Sequence, residues 1–222
     1  MKDSAADLAL EFIEDGQIVG LGTGRAASAF VRALGARVGA GLSVQGVPTS
    51  QATAQLAGDC GIPLLALDDV ERLDLTVDGA DEVDPGLNLI KGYGAALVRE
   101  KIVAAASDRL VILVGREKLV DCLGQRGRLP VEVVPFAVGT CGRRFAEMGI
   151  PGVVREADGE VVVTDNGNYV VDCRVEAIAD PVSLDRELCC TPGVLGTGIF
   201  AEMAEAVIVE DDRGARLMRG SR

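Results

Sequence analysis

The chain has 222 residues, 48% of them hydrophobic, and a formal net charge of -12. A length of this order buries a core without disulfide or metal staples, and the acidity argues against nucleic acid as a partner, because binding it requires a basic surface. With no histidine and six cysteines that lack CxxC spacing, a zinc site of the usual kinds is almost excluded, and an acid or base working near neutral pH must be a carboxylate, lysine, cysteine or tyrosine.

The segment Met1 to Asp7 lacks the order of parts of a signal peptide, and no apolar stretch reaches the length of a spanning helix. A soluble, cytoplasmic protein with free thiols and no membrane contact is expected. Leu8 and Phe12, flanked by Ala5, Ala9 and Ile13, have helical spacing and stop at Gly16. Ile18 to Leu21 reads as a buried strand, Gly22 to Gly24 as a tight turn, and Ala26 to Leu34 as a helix. The rhythm repeats with strand Ser43 to Val47, turn Pro48 to Ser50, helix Gln51 to Ala57 and strand Leu64 to Leu67. Leu73 to Val77 and Leu110 to Val114 are further strands, with Ala95 to Ser107 as helix between them. Apolar strands alternating with helices predict a parallel sheet covered on both faces.

After Gly124 the pattern changes. Strands are expected at Val131 to Pro135, Gly152 to Arg155, Val161 to Val163 and Tyr169 to Cys173, with helices at Cys141 to Met148 and Leu184 to Leu188. Asp158-Gly159 and Asn166-Gly167 supply turn chemistry. Gly193 to Phe200 leads back to a last strand, Ala206 to Val209. The fold class expected is α/β, an open parallel sheet with a smaller inserted antiparallel α+β unit.

An open α/β sheet binds ligands beyond the carboxyl ends of its strands, which directs attention to four loops. DGADEVD crowds Asp78, Asp81, Glu82 and Asp84 together, an arrangement that persists only where cations, hydrogen bonds or solvent compensate. A solvated turn and a magnesium site are both readings of this loop, but Lys91 offers a different cation. It stands in Ile90-Lys91-Gly92-Tyr93-Gly94, where glycines admit close backbone approach and amides plus ammonium suit an oxyanion. Glu100 follows in the same helix. A helical wheel separates it from Val98, Ile102 and Ala105, which are assigned the buried side, so Glu100 is expected outside the core, with a solvated face as the bland reading. Gly20 to Gly24 supplies an anion cradle with Thr23 as hydroxyl donor and Arg25 as a charged clamp. Thr49 and Ser50 offer hydroxyls at another helix start, where capping is the simpler reading. Lys118 also falls at the carboxyl edge.

Taken together, GLGTG at Gly20, PTSQAT at Pro48, DGADEVD at Asp78, IKGYGAALVREKIVA at Ile90, LPVEVVPFA at Leu129 and TDNGNYVVD at Thr164 resemble the ribose-5-phosphate isomerase A family. The DGAD and KGxGAAxxREK pair is the most specific part. The resemblance implies a Rossmann-like catalytic domain (residues 1–126 and 197–222) with a ferredoxin-like lid domain (residues 127–196). It also implies a homodimer or homotetramer, and no cofactor or metal. D-ribose 5-phosphate and D-ribulose 5-phosphate would interconvert through an enediolate, in the non-oxidative branch of the pentose phosphate pathway. Carried over by position, Glu100 would be the base, with Asp78, Asp81 and Lys91 handling ring opening and developing charge. Thr23, Gly24, Arg25, Ala26, Ser50, Gly92, Gly94 and Lys118 would contact substrate. The chain departs from the family at Arg25 and Ala26, at Tyr93, and at Glu117, which replaces a serine. A non-catalytic sugar-phosphate sensor of the same fold and a CoA-transferase related by fold are the competing readings.

Overall fold

The computed structural model describes residues 4–220. Met1 to Asp3, part of the segment read for a signal peptide, lie outside the described residues. The first half of the chain runs α1 (Ala5–Leu10), β1 (Ile18–Leu21), α2 (Arg25–Gly39), β2 (Gln45–Pro48), α3 (Gln51–Asp59), β3 (Leu75–Gly79), β4 (Glu82–Val83), β5 (Leu89–Ile90), α4 (Leu97–Ala105) and β6 (Leu110–Gly115). The second half continues β7 (Leu129–Val133), α5 (Val138–Glu147), β8 (Gly152–Val154), β9 (Glu156–Ala157), β10 (Glu160–Val161), β11 (Tyr169–Cys173), α6 (Pro181–Cys189), β12 (Val194–Thr197), β13 (Ile199–Phe200), β14 (Ala206–Asp211) and β15 (Gly214–Arg219).

The main sheet has the order β15-β14-β6-β3-β1-β2, parallel throughout except for β15 at one edge. Its inner strands are buried over most of their length and largely apolar, with Thr76 and Asp78 of β3 as buried exceptions, because helices cover both faces: Phe30, Val31 and Leu34 of α2 pack with Leu21 and Val77 on one side, and Ile112, Val207 and Phe200 cluster on the other. Each such fully buried side chain contributes roughly 1.5–3 kcal/mol over an exposed one. Register aligns the strand ends that matter, with Leu21 opposite Val77 and Gly79 opposite Leu113. The loops after β1, β3 and β6 therefore open along one edge.

Two departures from the expected elements have local causes. Leu64 makes only an isolated bridge to Gly46, and the chain then turns into a 3-10 segment, Leu67–Asp69, in place of a strand to Leu67. Pro63, which has no N–H, can offer this pairing only its carbonyl, which accepts from Gly46 N–H. At the C-terminal end β15, which the apolar pattern missed, pairs antiparallel with all of β14 and closes the sheet edge. Edge strands carry mixed exposure and so lack a clean hydrophobic signature.

The second sheet, β12-β7-β11-β8, is antiparallel, and the order of its elements, β7-α5-β8-β11-α6-β12, is that of a ferredoxin-like unit. Cys141 and Phe145 of α5 and Leu188 of α6 seal one of its faces against Val131, Val133, Val171 and Cys173. Val161 to Val163 does not form one strand: β10 pairs with β9, while Val163 bridges to Tyr169. A third sheet, β13-β5-β4, brings Ile199 opposite Ile90 and so fixes the start of the Lys91 loop. No helix among the described residues is long and apolar enough to cross a membrane.

Candidate active site

A cavity of about 430 Å³ opens at the carboxyl edge of the main sheet, walled by the loops after β1, β3 and β6, the Lys91 loop and the first turn of α4. The backbone reaches this geometry through close approach. A Cβ on Gly22 would lie 2.2 Å from Asp78 Oδ1, so only glycine lets the β1 loop run against the end of β3.

The crowded carboxylates after β3 are separated by the fold. Asp78 is buried, its Oδ1 accepting from the N–H groups of Gly79 (2.7 Å) and Thr23 (3.1 Å). Asp81 stands at the cavity wall, accepts from Tyr93 N–H at 3.0 Å and faces Lys118 Nζ at 3.9 Å. Glu82 turns the other way, fully buried, and accepts from Gly124 and Arg126 N–H at 2.7 and 2.9 Å. Asp84 caps its own turn through Asn88. Backbone donors, Lys118 at Asp81 and a buried ammonium at Asp78, in place of solvent, balance most of this charge.

That ammonium is Lys91. Its Nζ lies 3.0 Å from Asp78 Oδ2, 3.3 Å from Glu100 Oε2 and 2.5 Å from the carbonyl of Gly79. All three charged side chains are buried. Burial, and then the negative charge of Asp78, push the Glu100 carboxyl up to about 8 against the opposing pull of Lys91. Burial likewise raises Asp78, although Lys91 opposes it. Burial works against the Lys91 charge, but Asp78 and Glu100 outweigh it and hold the ammonium above its ordinary range. A carboxylate tuned toward neutral pH beside a fixed cation is equipped to move a proton and steady the charge that results.

The placement of Glu100 corrects the helical-wheel reading. The buried face of α4 carries Leu97, Glu100, Val103 and Ala104, whereas Ile102 is 49% exposed. The helix also starts later than expected, at Leu97, because Ala95 takes a positive φ of 62° and Ala96 is the N-cap. Glu100 thus sits in the first turn. The wheel misled because the charged residues Arg99, Glu100 and Lys101 are consecutive and so point to three different sides of a short helix, whose periodicity therefore does not say which face meets the sheet.

At the other end of the cavity stand Thr23, Gly24, Arg25, Ala26 and Lys118. Gly24, at a φ of 107°, is the N-cap of the fifteen-residue α2, and no side chain caps that helix. Its first-turn N–H groups and the Arg25 guanidinium at the cavity wall make an electropositive end of the kind that suits an anion. The Thr23 hydroxyl is held among those of Thr49 (2.8 Å), Ser50 (2.8 Å) and Thr53 (3.1 Å). Ser50 itself is buried behind Thr23 as the N-cap of α3 and does not line the cavity. Asp78 too lies beneath the wall, behind Lys91.

Gly92 and Gly94 line the cavity, whereas Tyr93 does not; its half-buried ring packs 4.6 Å from the Arg128 guanidinium, and burial pushes its hydroxyl up to about 12. Glu117 lines the cavity on the Lys118 side. The sequence reading missed the contacts from the second sheet. Arg99, next to Glu100, donates to Asn166 Oδ1 (2.8 Å) and to the carbonyl of Asp165 (2.9 Å), and the Asp165 carboxylate accepts from Gln51 N–H at 2.7 Å. Buried Glu132 organises the same loop through Thr164, Asn166 and Asn168. The turn residues in TDNGN were the only sequence signal for this docking.

The sequence model of the family described as ribose 5-phosphate isomerase A (phosphoriboisomerase A) matches residues 45–214. The chain is 48% identical to the ribose-5-phosphate isomerase A of Bradyrhizobium diazoefficiens, over 98% of this chain and 95% of that protein. It is also 48% identical to that of Gloeobacter violaceus, over 100% and 96%. Among solved structures, ribose 5-phosphate isomerase A from Methanocaldococcus jannaschii superposes with a TM-score of 0.93 at 39% identity, covering 97% of this chain and 96% of that one. A D-ribose-5-phosphate isomerase in complex with phospho-erythronic acid gives 0.94 at 41% identity, with the same coverage. Matched along nearly its whole length in both sequence and fold, the chain belongs to the ribose-5-phosphate isomerase A family.

Proposed function

We propose that this enzyme interconverts D-ribose 5-phosphate and D-ribulose 5-phosphate through an enediolate, with Glu100 as the proton shuttle. The observation that carries the reading is the Glu100–Lys91 pair: a buried carboxylate pushed up to about 8, held 3.3 Å from a buried ammonium at the wall of a cavity. In the forward direction Asp81 assists ring opening. Glu100 then removes the proton from C2 of the open-chain aldose, and the electron pair moves into the C1–C2 bond as the C1 carbonyl oxygen becomes an enediolate oxygen. Lys91 and the amides of its loop face that oxygen. Glu100 returns its proton to C1, and the hydroxyl proton on O2 passes to O1, leaving the ketose carbonyl at C2. Asp78 acts through Lys91, which it holds in place.

The phosphate sits at the α2 N-terminus, met by Thr23, Gly24, Arg25 and Ala26, with Lys118 nearby and Ser50 supporting Thr23 from behind. Every group assigned a step is a side chain or amide of the chain itself. A pure sensor would have no use for a base tuned in this way, which favours the isomerase. We further assign residues 1–126 with 197–222 to a catalytic unit and residues 127–196 to a lid. Self-association into a dimer or tetramer suits the apolar surface of the lid, where Phe136 is fully exposed. Six unpaired cysteines suit the cytoplasm.

The deciding experiment is turnover of ribose 5-phosphate by purified wild type and Glu100→Gln, with and without a chelator. The variant is expected to lose about 10²–10⁴-fold in kcat while calorimetry still detects sugar-phosphate binding. Near-normal turnover in the variant would remove Glu100 as the base.

A further inference from the structure

The loop that delivers Lys91 is gripped from the second sheet by a residue the mechanism above does not use. Arg155, directly after β8 and 8% exposed, donates through Nη1 to the carbonyls of Gly92 (2.9 Å) and Tyr93 (3.0 Å). Its Nε and Nη2 fork onto Asp172 at 2.9 and 2.6 Å, which leaves the guanidinium little freedom. A trans peptide points its C=O and N–H in opposite directions, and the chain contains no cis peptide among the described residues. The Gly92–Tyr93 peptide is therefore fixed at both ends, its carbonyl on Arg155 and its N–H on Asp81 at 3.0 Å. In the next peptide the Tyr93 carbonyl is drawn to Arg155, so the Gly94 N–H is turned to the opposite side, and Gly94 is part of the cavity wall.

We infer that Arg155 is a positioning residue for proton transfer: it clamps the Tyr93–Gly94 peptide so that the Gly94 N–H serves the enediolate oxygen. The inference rests on the isomerase reading above. An arginine is needed because one planar fork must meet a carboxylate along one edge and two carbonyls with its remaining amino group, which an ammonium cannot do. The effect falls on the transition state, where the oxygen gains charge, more than on substrate binding.

The test is steady-state kinetics of Arg155→Ala with ribose 5-phosphate. Loss of an oxyanion donor is expected to lower kcat about 100-fold with KM within about threefold, and millimolar guanidinium should restore part of kcat where the same concentration of ammonium does not. The limb of the pH profile set by Glu100 should stay in place. A kcat within about threefold of wild type, a loss expressed only in KM, or a displaced limb overturns the inference. If Arg155→Ala does not fold, Arg155→Lys decides: it keeps a cation on Asp172 but reaches at most one carbonyl, so kcat should drop about tenfold at unchanged KM, and wild-type kcat overturns the clamp. Wild-type protein without turnover of ribose 5-phosphate would instead sink the isomerase reading, independently of any Arg155 variant.

Discussion

The Lys91 ammonium lies 3.3 Å from the Glu100 carboxylate, with both side chains almost wholly withdrawn from water. Asp78 occupies the other side of the same ammonium at 3.0 Å. One buried cation thus serves two buried carboxylates, and burial, followed by the charge of Asp78, makes Glu100 hold its proton to higher pH than an ordinary glutamate.

This sets the pH dependence. Burial first, and Asp78 second, place the Glu100 carboxyl at about 8, and a base works only when ionised. From pH 7 upward the sugar phosphate is dianionic, with its second pKa at about 6, so kcat/KM should rise about fivefold between pH 7 and 8 and level off about twofold higher. A pH profile of kcat/KM checks this; a plateau already reached at the usual carboxylate range would contradict the burial argument.

Lys91→Met removes the ammonium that compensates both acids. Breaking a buried pair by deleting one partner costs about 3–5 kcal/mol, and turnover should be lost with it. The sign with pH follows from the raised folded-state values of Asp78 and Glu100. The folded protein keeps protons that the unfolded chain has released, so stability falls as pH rises from the ordinary carboxylate range through about 8. Without Lys91 this fall is steeper. Denaturant unfolding of the variant and wild type near pH 5 and pH 8 should show a deficit that grows with pH, and a constant deficit would argue against charge as its cause.

Arg25→Ala tests the phosphate end. A charge-assisted hydrogen bond to a ligand is worth about 1.5–3 kcal/mol, so KM for ribose 5-phosphate should rise at least about tenfold, with kcat little changed. An unchanged KM would remove Arg25 from the phosphate site.

Gly22→Ala probes the junction of the β1 loop with β3. The added methyl would stand 2.2 Å from Asp78 Oδ1 and 2.6 Å from Asp78 Cα, and the second contact is backbone, which cannot swing aside. A loss of about 1–3 kcal/mol is expected in denaturant unfolding, along with reduced turnover as Asp78 is pushed from Lys91. Wild-type stability and turnover together would show that the loop yields more readily than its packing implies.

Much of the fold was legible because its signals are local. The apolar run Ile18 to Leu21 and the segment Tyr169 to Cys173 emerge as β1 and β11 end to end, since a continuous buried strand and a turn-bounded strand each announce themselves within a few residues. The glycine turn after β1 and the residues of the Lys91 loop were likewise readable, and their common edge followed from the α/β pattern. Other features depend on partners far along the chain. The four acids of DGADEVD have the same chemistry in sequence, yet Glu82 is directed away from the cavity by N–H groups at Gly124 and Arg126, and Asp78 is placed behind Lys91 by its own turn and Thr23. Ser50 carries a hydroxyl suited to substrate, but capping α3 draws it behind Thr23.

Local signals alone were enough for most of the strands and helices and for the residues of the Glu100 site, because periodicity, glycine and side-chain identity are properties of neighbouring positions; β15 and the Leu64 segment, whose pairing depends on distant chain, were not legible that way. That Glu100 faces inward was settled by tertiary contacts, since three adjacent charged residues leave α4 without a clear polar face until the sheet and Lys91 meet it. The same holds for Arg155, an arginine without local signature, whose placement is set by two carbonyls on the Lys91 loop that the fold brings to it through space.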